Sequence, residues 1–136
     1  MAAEFFVRPA VEEDFSIIEG HCNAARQEAQ NYRGSLRSDV SSDNQLSFVG
    51  GYGTTIMGSL TVSIDGDAAH INHVFVVPES REVGLADSLL QHLISVLRAQ
   101  GTTHVGAQAL PGDRAMKNLF ERHGLIAQTI IVGKSL

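Results

Sequence analysis

The sequence is poor in the features that mark several large classes of protein. It has one cysteine, Cys22, so no internal disulfide can form, and this fits a reducing compartment. Its apolar runs are far shorter than the roughly 20 residues that cross a bilayer, and its first residues do not resemble a signal peptide. The net charge is -5 and the basic residues are scattered, which disfavours a nucleic-acid surface. We therefore expect a cytoplasmic protein that binds neither nucleic acid nor membrane.

The composition is that of an ordinary globular protein, with 136 residues of which 43% are hydrophobic and 18% are charged. This length predicts one domain, residues 1–136, with a hydrophobic core of its own. The acidic balance slightly favours a cationic substrate.

Hydrophobic periodicity predicts the order of helices and strands. Strands are predicted at residues 4–8, 46–50, 55–64, 69–77, 103–109 and 125–132. Helices are predicted at residues 11–22, 24–32, 83–100 and 113–123, and a Ser- and Asp-rich loop at residues 35–44. The three central strands should form an antiparallel meander. The order as a whole indicates an α/β layer fold with a mixed sheet.

Turn and cap residues support these boundaries. The run Asp-Gly-Asp at residues 65–67 is a strong hairpin signal, and the glycines within residues 50–53 predict a turn. Gly101 fits the C-terminal cap of the helix before it. Asp113 is a suitable N-cap for the helix that follows it.

The segment at residues 77–86 joins a predicted strand to the most strongly amphipathic helix. A helix N-terminus leaves backbone N–H groups unpaired and carries partial positive charge. Gly84 and Ala86 are small enough to let a phosphate approach this backbone, and Arg81 adds a cation at the rim. The segment therefore suits a diphosphate without a metal, although a tight strand-to-helix turn with no ligand explains the same spacing. It is neither a Walker loop nor a dinucleotide fingerprint.

Residues 74–86 read Val-Phe-Val-Val-Pro-Glu-Ser-Arg-Glu-Val-Gly-Leu-Ala. This run resembles motif A of the GNAT superfamily of N-acetyltransferases: a strand, a proline, then Arg/Gln-x-x-Gly-x-Gly/Ala. Val-Arg-Pro-Ala at residues 7–10, Met-Gly at residues 57–58 and Leu-Phe-Glu-Arg-His-Gly-Leu at residues 119–125 are similar to other parts of the family's pattern. The resemblance covers almost the whole chain.

The resemblance implies a three-layer α/β/α fold whose mixed, mostly antiparallel sheet carries helices on both faces. It implies acetyl-CoA or another acyl-CoA as donor, an amine of a small molecule or protein as acceptor, and no metal. In the family the fourth strand splays from the fifth, and the pantetheine arm of the donor lies in the gap. The donor-binding residues implied here are Val74, Val76, Arg81, Glu82, Val83, Gly84, Leu85, Ala86 and Asp113.

At the positions of the family's usual catalytic groups this sequence has other residues. The family's base is often a glutamate at the positions held here by Asn72 and His70. A histidine titrates near neutrality and can act as a base, although an ordinary half-exposed strand histidine is the simpler interpretation of His70. Asn72 can only orient water. In a regular strand residues 70, 72, 74 and 76 share one face and His73 points away, whereas a bulge would bring His73 inward.

The family's usual acid is a tyrosine in motif B, and Phe120 stands at that position. This departure supports an alternative function, a catalytically weak or inactive protein that binds acyl-CoA and regulates a partner. Only 11 residues follow Leu125, where the family usually builds two strands. We therefore expect a homodimer in which a second subunit completes the acceptor side.

Overall fold

The computed structural model describes residues 5–36 and 44–136. In these segments it has strands β1 (Phe5–Pro9), β2 (Gln45–Tyr52), β3 (Thr55–Asp65), β4 (Ala68–Val76) and β5 (His104–Gly106). Its α-helices are α1 (Phe15–Ala29), α2 (Leu85–Ala99) and α3 (Arg114–Arg122), and short 3-10 turns occur at Glu12–Asp14 and Pro78–Ser80. No helix in the described segments is both long and apolar enough to span a membrane.

The strands form one mixed sheet in the order β1-β2-β3-β4-β5. The pairs from β1 to β4 are antiparallel, and β5 joins β4 in parallel. The predicted meander is thus confirmed, and Gly66 provides the left-handed residue (φ 62°) that its second hairpin needs.

The two faces of the sheet differ in chemistry, and this follows from the alternation of β3. Leu60, Val62 and Ile64 point to one face, where they join the core cluster that contains the leucines of α2. Ser59, Thr61 and Ser63 point to the other face, where α1 packs and where His21 of α1 contacts Ser59. Helices therefore cover both faces, and the predicted α/β/α layering is confirmed.

The apolar stripe of α2 contributes more buried side chains to the core cluster than any other single helix or strand. Its residues Leu85, Leu89, Leu90, Leu93 and Leu97 are at most 3% exposed. Each fully buried leucine contributes roughly 1.5–3 kcal/mol relative to an exposed one. Leu119 and Phe120 of α3 complete the same cluster. The apolar stripe predicted from the sequence therefore holds α2 against the sheet. It thereby also fixes the position of the chain segment that precedes α2.

Two glycines let the first turn of α2 approach the sheet. A Cβ at Gly50 would lie 2.8 Å from Leu85, and a Cβ at Gly58 would lie 2.8 Å from the Phe75 carbonyl and 3.3 Å from Leu85. Gly51 lies inside β2, where a Cβ would collide with the backbone of Thr55. The prediction of a turn at residues 50–53 was therefore wrong in part: Gly50 and Gly51 belong to the strand, and Gly53 makes the turn with φ 63°.

The predicted break between two helices near residue 23 is also wrong. A single helix runs through Phe15–Ala29, because neither proline nor a conformationally strained residue interrupts it. Its start lies later than predicted because Asp14 belongs to the preceding 3-10 turn. There its carboxylate accepts hydrogen bonds from Arg8 (2.7 and 3.2 Å) and from the Val11 backbone N–H (2.9 Å).

The predicted strand at residues 125–132 is not formed. These residues have no regular secondary structure, and residues 126–136 are all exposed. A segment rich in β-branched residues forms a strand only when a second strand lies beside it and pairs with its backbone. No strand of the described chain lies beside this one. The strand at residues 103–109 is shorter than predicted for a related reason, since β5 keeps β4 as a partner for only three residue pairs. Most of the predicted loop at 35–44 lies outside the described residues.

We predict that Gly58→Ala destabilises the protein by roughly 1–3 kcal/mol, because the added methyl group overpacks the contact between α2 and the sheet. Urea unfolding at neutral pH measures this effect. Gly20→Ala is the matched control: a Cβ there meets no atom within 4 Å, and Ala is favoured over Gly in a helix by roughly 0.5–1 kcal/mol. Equal stability of the two variants would contradict the prediction.

Candidate active site

The segment before α2 has the geometry of an anion-binding turn. Within the described residues, none of the backbone N–H groups of residues 82–86 donates a hydrogen bond to a backbone carbonyl. Gly84 precedes the first helical residue with φ 87°, and Glu82 also has a left-handed φ of 69°. Left-handed residues in such turns direct successive N–H groups toward one concavity, where an anion can bind. A Cβ at Gly84 would meet no protein atom within 4 Å, so this side is open to a ligand.

Arg81 lies at the rim of this segment, but its guanidinium already has protein partners. Its Nε donates to the Val76 carbonyl (2.8 Å), and its Nη2 donates to Glu28 of α1 (2.5 Å). Its Cζ lies 5.3 Å from the centre of the Phe75 ring. These contacts link the segment before α2 to α1 on the opposite face of the sheet.

The last part of β4 has an open edge. Pairing with β5 ends at His70 and Gly106. In an antiparallel ladder successive residues turn their N–H and C=O groups to alternate sides. The Val77 N–H donates to the Met57 carbonyl of β3 (2.8 Å). The backbone groups of Val74 and Val76 therefore face away from β3, into the gap beside β5. This gap is the splay that the resemblance implied.

A continuous cleft of about 1640 Å³ connects the gap with the segment before α2 and with α1. It is larger than the roughly 300–1,000 Å³ of a typical small-ligand pocket, so it has room for a long donor and an acceptor. Among its lining residues are Val74, Val76, Gly84, Ala86, Asp113 and Phe120. The sequence had also predicted a donor-binding role for all of these except Phe120.

A β-bulge interrupts β4 at Asn72. Thr61 of β3 pairs with His73 and Val62 pairs with Ile71, so Asn72 is the extra residue. Of the two alternatives that the sequence left open, the regular strand and the bulge, the structure has the bulge, and residues 70, 72, 74 and 76 do not share one face. His70 pairs with Ser63 and His73 pairs with Thr61, so both histidines lie on the polar face under α1. Val74 lies in the apolar core cluster on the other face.

Asn72 and His70 both line the cleft. The amide of Asn72 is oriented by Ser63, because its Nδ2 donates to the Ser63 hydroxyl at 2.7 Å. This bond uses one amide hydrogen and leaves the carbonyl oxygen of Asn72 as an acceptor. The structure thus places the two residues that the sequence proposed as catalytic close to Ser63, on the polar side of β4.

His73 belongs to a buried polar cluster that the sequence indicated only through the possibility of a bulge. The Ser59 hydroxyl lies 3.1 Å from His73 Nε2 and 2.7 Å from His21 Nδ1. Burial, with smaller effects of the positive charges that His21 and Arg26 can carry, lowers the pKa of His73 to about 4. Burial also lowers the pKa of His21. Both rings are therefore neutral at physiological pH.

The motif-B position holds no proton donor in the described structure. Phe120 is 7% exposed and packs in the core. Tyr32 lines the cleft, and its ring lies 3.7 Å from a Cβ built on Gly112. Tyr52 instead packs edge-on against Phe5. Asp113 caps α3 as predicted, because its carboxylate accepts from the Met116 N–H at 3.2 Å.

Asp87, in the first turn of α2, was not identified from the sequence. Its carboxylate accepts from Arg122 Nε and Nη2, both at 3.1 Å, and lies 2.8 Å from His123 Nε2. Hydrogen bonds from Arg122 lower the pKa of Asp87. The contact fixes the end of α3 against the start of α2, at the mouth of the cleft.

The chain belongs to the acetyltransferase (GNAT) family, whose sequence profile matches residues 7–125, and it is therefore an acyltransferase. The search of curated proteins gave no match.

Several solved acetyltransferase structures share the fold. An aminoglycoside acetyltransferase, meta-AAC0020, from an uncultured soil metagenomic sample is 15% identical, with TM-score 0.73 over 97% of this chain and 95% of the other. AAC(6')-Iy, in complex with a bisubstrate analogue of CoA and acetylneamine, is 14% identical, with TM-score 0.72 over 98% and 99%. The PaiA N-acetyltransferase of Thermoplasma acidophilum, in complex with coenzyme A, is 11% identical, with TM-score 0.72 over 89% of each chain.

We predict that the protein loses stability as the pH falls from about 6.5 to about 4, in part because of His73. In the unfolded chain His73 binds a proton near pH 6.5, whereas in the folded chain it binds one only near pH 4. Between them the unfolded state holds more protons, and acid favours it. Over this whole pH range the His73 ring contributes about 3 kcal/mol to the free energy of unfolding. Urea unfolding from pH 4 to 7 should show a steeper loss for the parent than for His73→Gln, and parallel curves would exclude His73 as the titrating group.

Proposed function

We propose that the protein transfers an acetyl group from acetyl-CoA directly to an amine of a small molecule or protein. The observation that carries the proposal is the open run of backbone N–H groups at residues 82–86, next to a β4 edge whose Val74 and Val76 groups face a gap. The two features suit the diphosphate and the pantetheine arm of one ligand, and the cleft joins them. We also infer one acyl-CoA-binding domain over residues 1–136, a cytoplasmic location, and no role for a metal.

The donor site would rely mainly on the backbone. The N–H groups of residues 82–86 would hold the diphosphate with help from the N-terminus of α2. Arg81 is tied to Val76 and Glu28, so it contributes its charge at the rim and would release Val76 when the arm pairs there. Val74 and Val76 would bond the arm, and Asp113 would lie beside it.

The bound donor supplies an activated acetyl group and a thiolate that leaves readily. The Val74 N–H would stabilise negative charge on the carbonyl oxygen during attack. An amine is largely protonated at neutral pH, so a base must take one proton before attack. His70 is the proposed base, and Asn72 would position the amine or a water through its carbonyl oxygen. Phe120 cannot donate a proton to the thiolate, so a water in the cleft would pass to it the second proton, which the nitrogen loses as the amide forms and the C–S bond breaks.

We predict that Gly84→Val weakens acetyl-CoA binding by roughly 10- to 100-fold, equal to about 1.4–2.7 kcal/mol. A branched side chain resists the left-handed backbone and fills the open side of the turn. Isothermal titration calorimetry measures the affinity. Gly101→Val is the matched control: Gly101 has φ 82° at the other end of α2, and a Cβ there meets no atom within 4 Å.

The control should lose stability but keep its affinity for acetyl-CoA. Equal losses of affinity in the two variants would mean that the effect is conformational and would contradict the assignment of residues 82–86. A parent protein that binds no acetyl-CoA would contradict the proposed function itself. Binding with no turnover of any amine would instead support a regulatory acyl-CoA-binding role.

We predict that His70→Ala lowers kcat/KM for the amine by roughly 100-fold, within the range typical of a general base. Asn72→Ala should mainly raise KM for the amine. A thiol-release assay with acetyl-CoA and diverse amines measures both effects. His104→Ala, an exposed histidine on the neighbouring strand, should leave activity unchanged. Unchanged activity in His70→Ala would dismiss this residue as the base.

We also propose that a second copy covers the exposed segment at residues 126–132. Its four large aliphatic side chains, Ile126, Ile130, Ile131 and Val132, are 64–88% exposed. Such a β-rich apolar segment is prone to pair with another chain. We predict a dimer mass by multi-angle light scattering and a monomer for the double variant Ile130→Lys, Val132→Lys. A monomeric parent would contradict this proposal without affecting that of acetyl transfer.

A further inference from the structure

The bulge in β4 lets the apolar residues of this strand face α2 while its histidines face α1. Ala69 and Ile71 lie in the core cluster beside α2. In a strand without the bulge, residue 73 would share their face, because a shift of one residue moves every later side chain to the opposite side. The His73 imidazole would then lie among the leucines of α2, and Val74 would lie on the polar face. The extra residue at Asn72 exchanges these positions.

Ser59 and His21 supply the reason for this exchange. The Ser59 hydroxyl is 0% exposed and bonds both rings, since a hydroxyl can donate once and accept at the same time. The side chains of the core cluster beside α2 are apolar and cannot hydrogen-bond an imidazole nitrogen. Burying an imidazole nitrogen without a partner costs at least as much free energy as giving up one hydrogen bond of the ladder. The bulged strand is therefore favoured.

We propose that His73, held by Ser59 and His21, is a positioning residue for acyl transfer because it fixes the bulge that turns the Val74 N–H into the gap. This inference rests on the proposed function, in which the gap receives the acyl donor. Without the bulge, the Val74 N–H would turn toward β3. Residue 73 would then lie opposite Leu60, and the chain from Val74 to the start of α2 would move by one position, roughly 3.3 Å, relative to β3. A displacement of this size is large compared with the precision that a reacting carbonyl requires.

The test compares His73→Val with His73→Gln. Valine suits the apolar face, so it removes the reason for the bulge. Glutamine places an amide near the position of Nε2 and can still bond Ser59, but it cannot exchange protons as an imidazole does. Amide NMR signals of Asn72 and Val74, without ligand, report whether the bulge persists. The same spectra with acetyl-CoA separate binding at residues 82–86 from contact at Val74.

For His73→Val we expect altered Asn72 and Val74 signals, loss of the acetyl-CoA response at Val74, and a retained response at residues 82–86. Its kcat should fall roughly 10- to 100-fold while the affinity for acetyl-CoA changes less than about threefold. His73→Gln should keep the bulge signals and most of kcat. Ser59→Ala, which removes only the shared hydroxyl, should shift the same signals in the direction of His73→Val and serves if that variant does not fold.

Two results would overturn the inference. One is a His73→Val or Ser59→Ala protein whose Asn72 and Val74 signals match those of the parent. The other is an equal loss of kcat in His73→Gln and His73→Val with the bulge intact, which would make the ring itself a reacting group. Absence of acetyl-CoA binding in the parent would refute the proposed function, but the ligand-free spectra would still decide whether His73 fixes the bulge.

Discussion

Strand β3 must pack against two helices of different character, and this constraint determines how β4 lies beside it. Its even-numbered residues from Leu60 to Ile64 meet the leucines of α2, and its odd-numbered hydroxyl residues lie under α1. Strand β4 must place apolar residues toward α2 and polar residues toward α1, but in a regular strand His73 would point toward α2. One extra residue at Asn72 restores the match. The bulge also decides which backbone groups of β4 remain open beside β5, so packing and the geometry of the cleft share one cause.

The second half of the site depends on how closely α2 approaches the sheet. Gly50 and Gly58 leave room for Leu85, which is 1% exposed, and this contact sets the position of the helix N-terminus. The polar contacts around it, Arg81 with Glu28 and Arg122 with Asp87, join groups that are 39–54% exposed. Exposed ion pairs contribute roughly 0–1 kcal/mol. Apolar burial therefore places the helix, and the ion pairs refine the rim of the cleft.

The sequence was sufficient to predict features that depend on local rules. The leucine stripe of α2, the hairpin at Gly66, the cap at Asp113 and the small residue Gly84 before α2 are encoded within a few residues of where they act. The position of the bulge is not local, because Ser59 and His21 lie 14 and 52 positions from His73 in the chain. A bulge could be considered from the histidine pair, but its partners could not be named. The prediction of a strand at residues 125–132 was wrong for a similar reason, since a strand forms only beside a pairing strand, whatever its composition.

The proposed donor site is built largely from backbone groups. N–H groups at a helix start and at an open strand edge need a fold, a glycine and a bulge, and they place few demands on side chains. The acceptor side is different, because proton transfer and amine recognition require particular side chains at particular positions. In this chain those side chains cannot come from Phe120, which lies in the core. In the proposed function they come from the polar face under α1, where the bulge brings His70, Asn72 and His73 together, so the residue that fixes the strand also decides which groups can meet the amine.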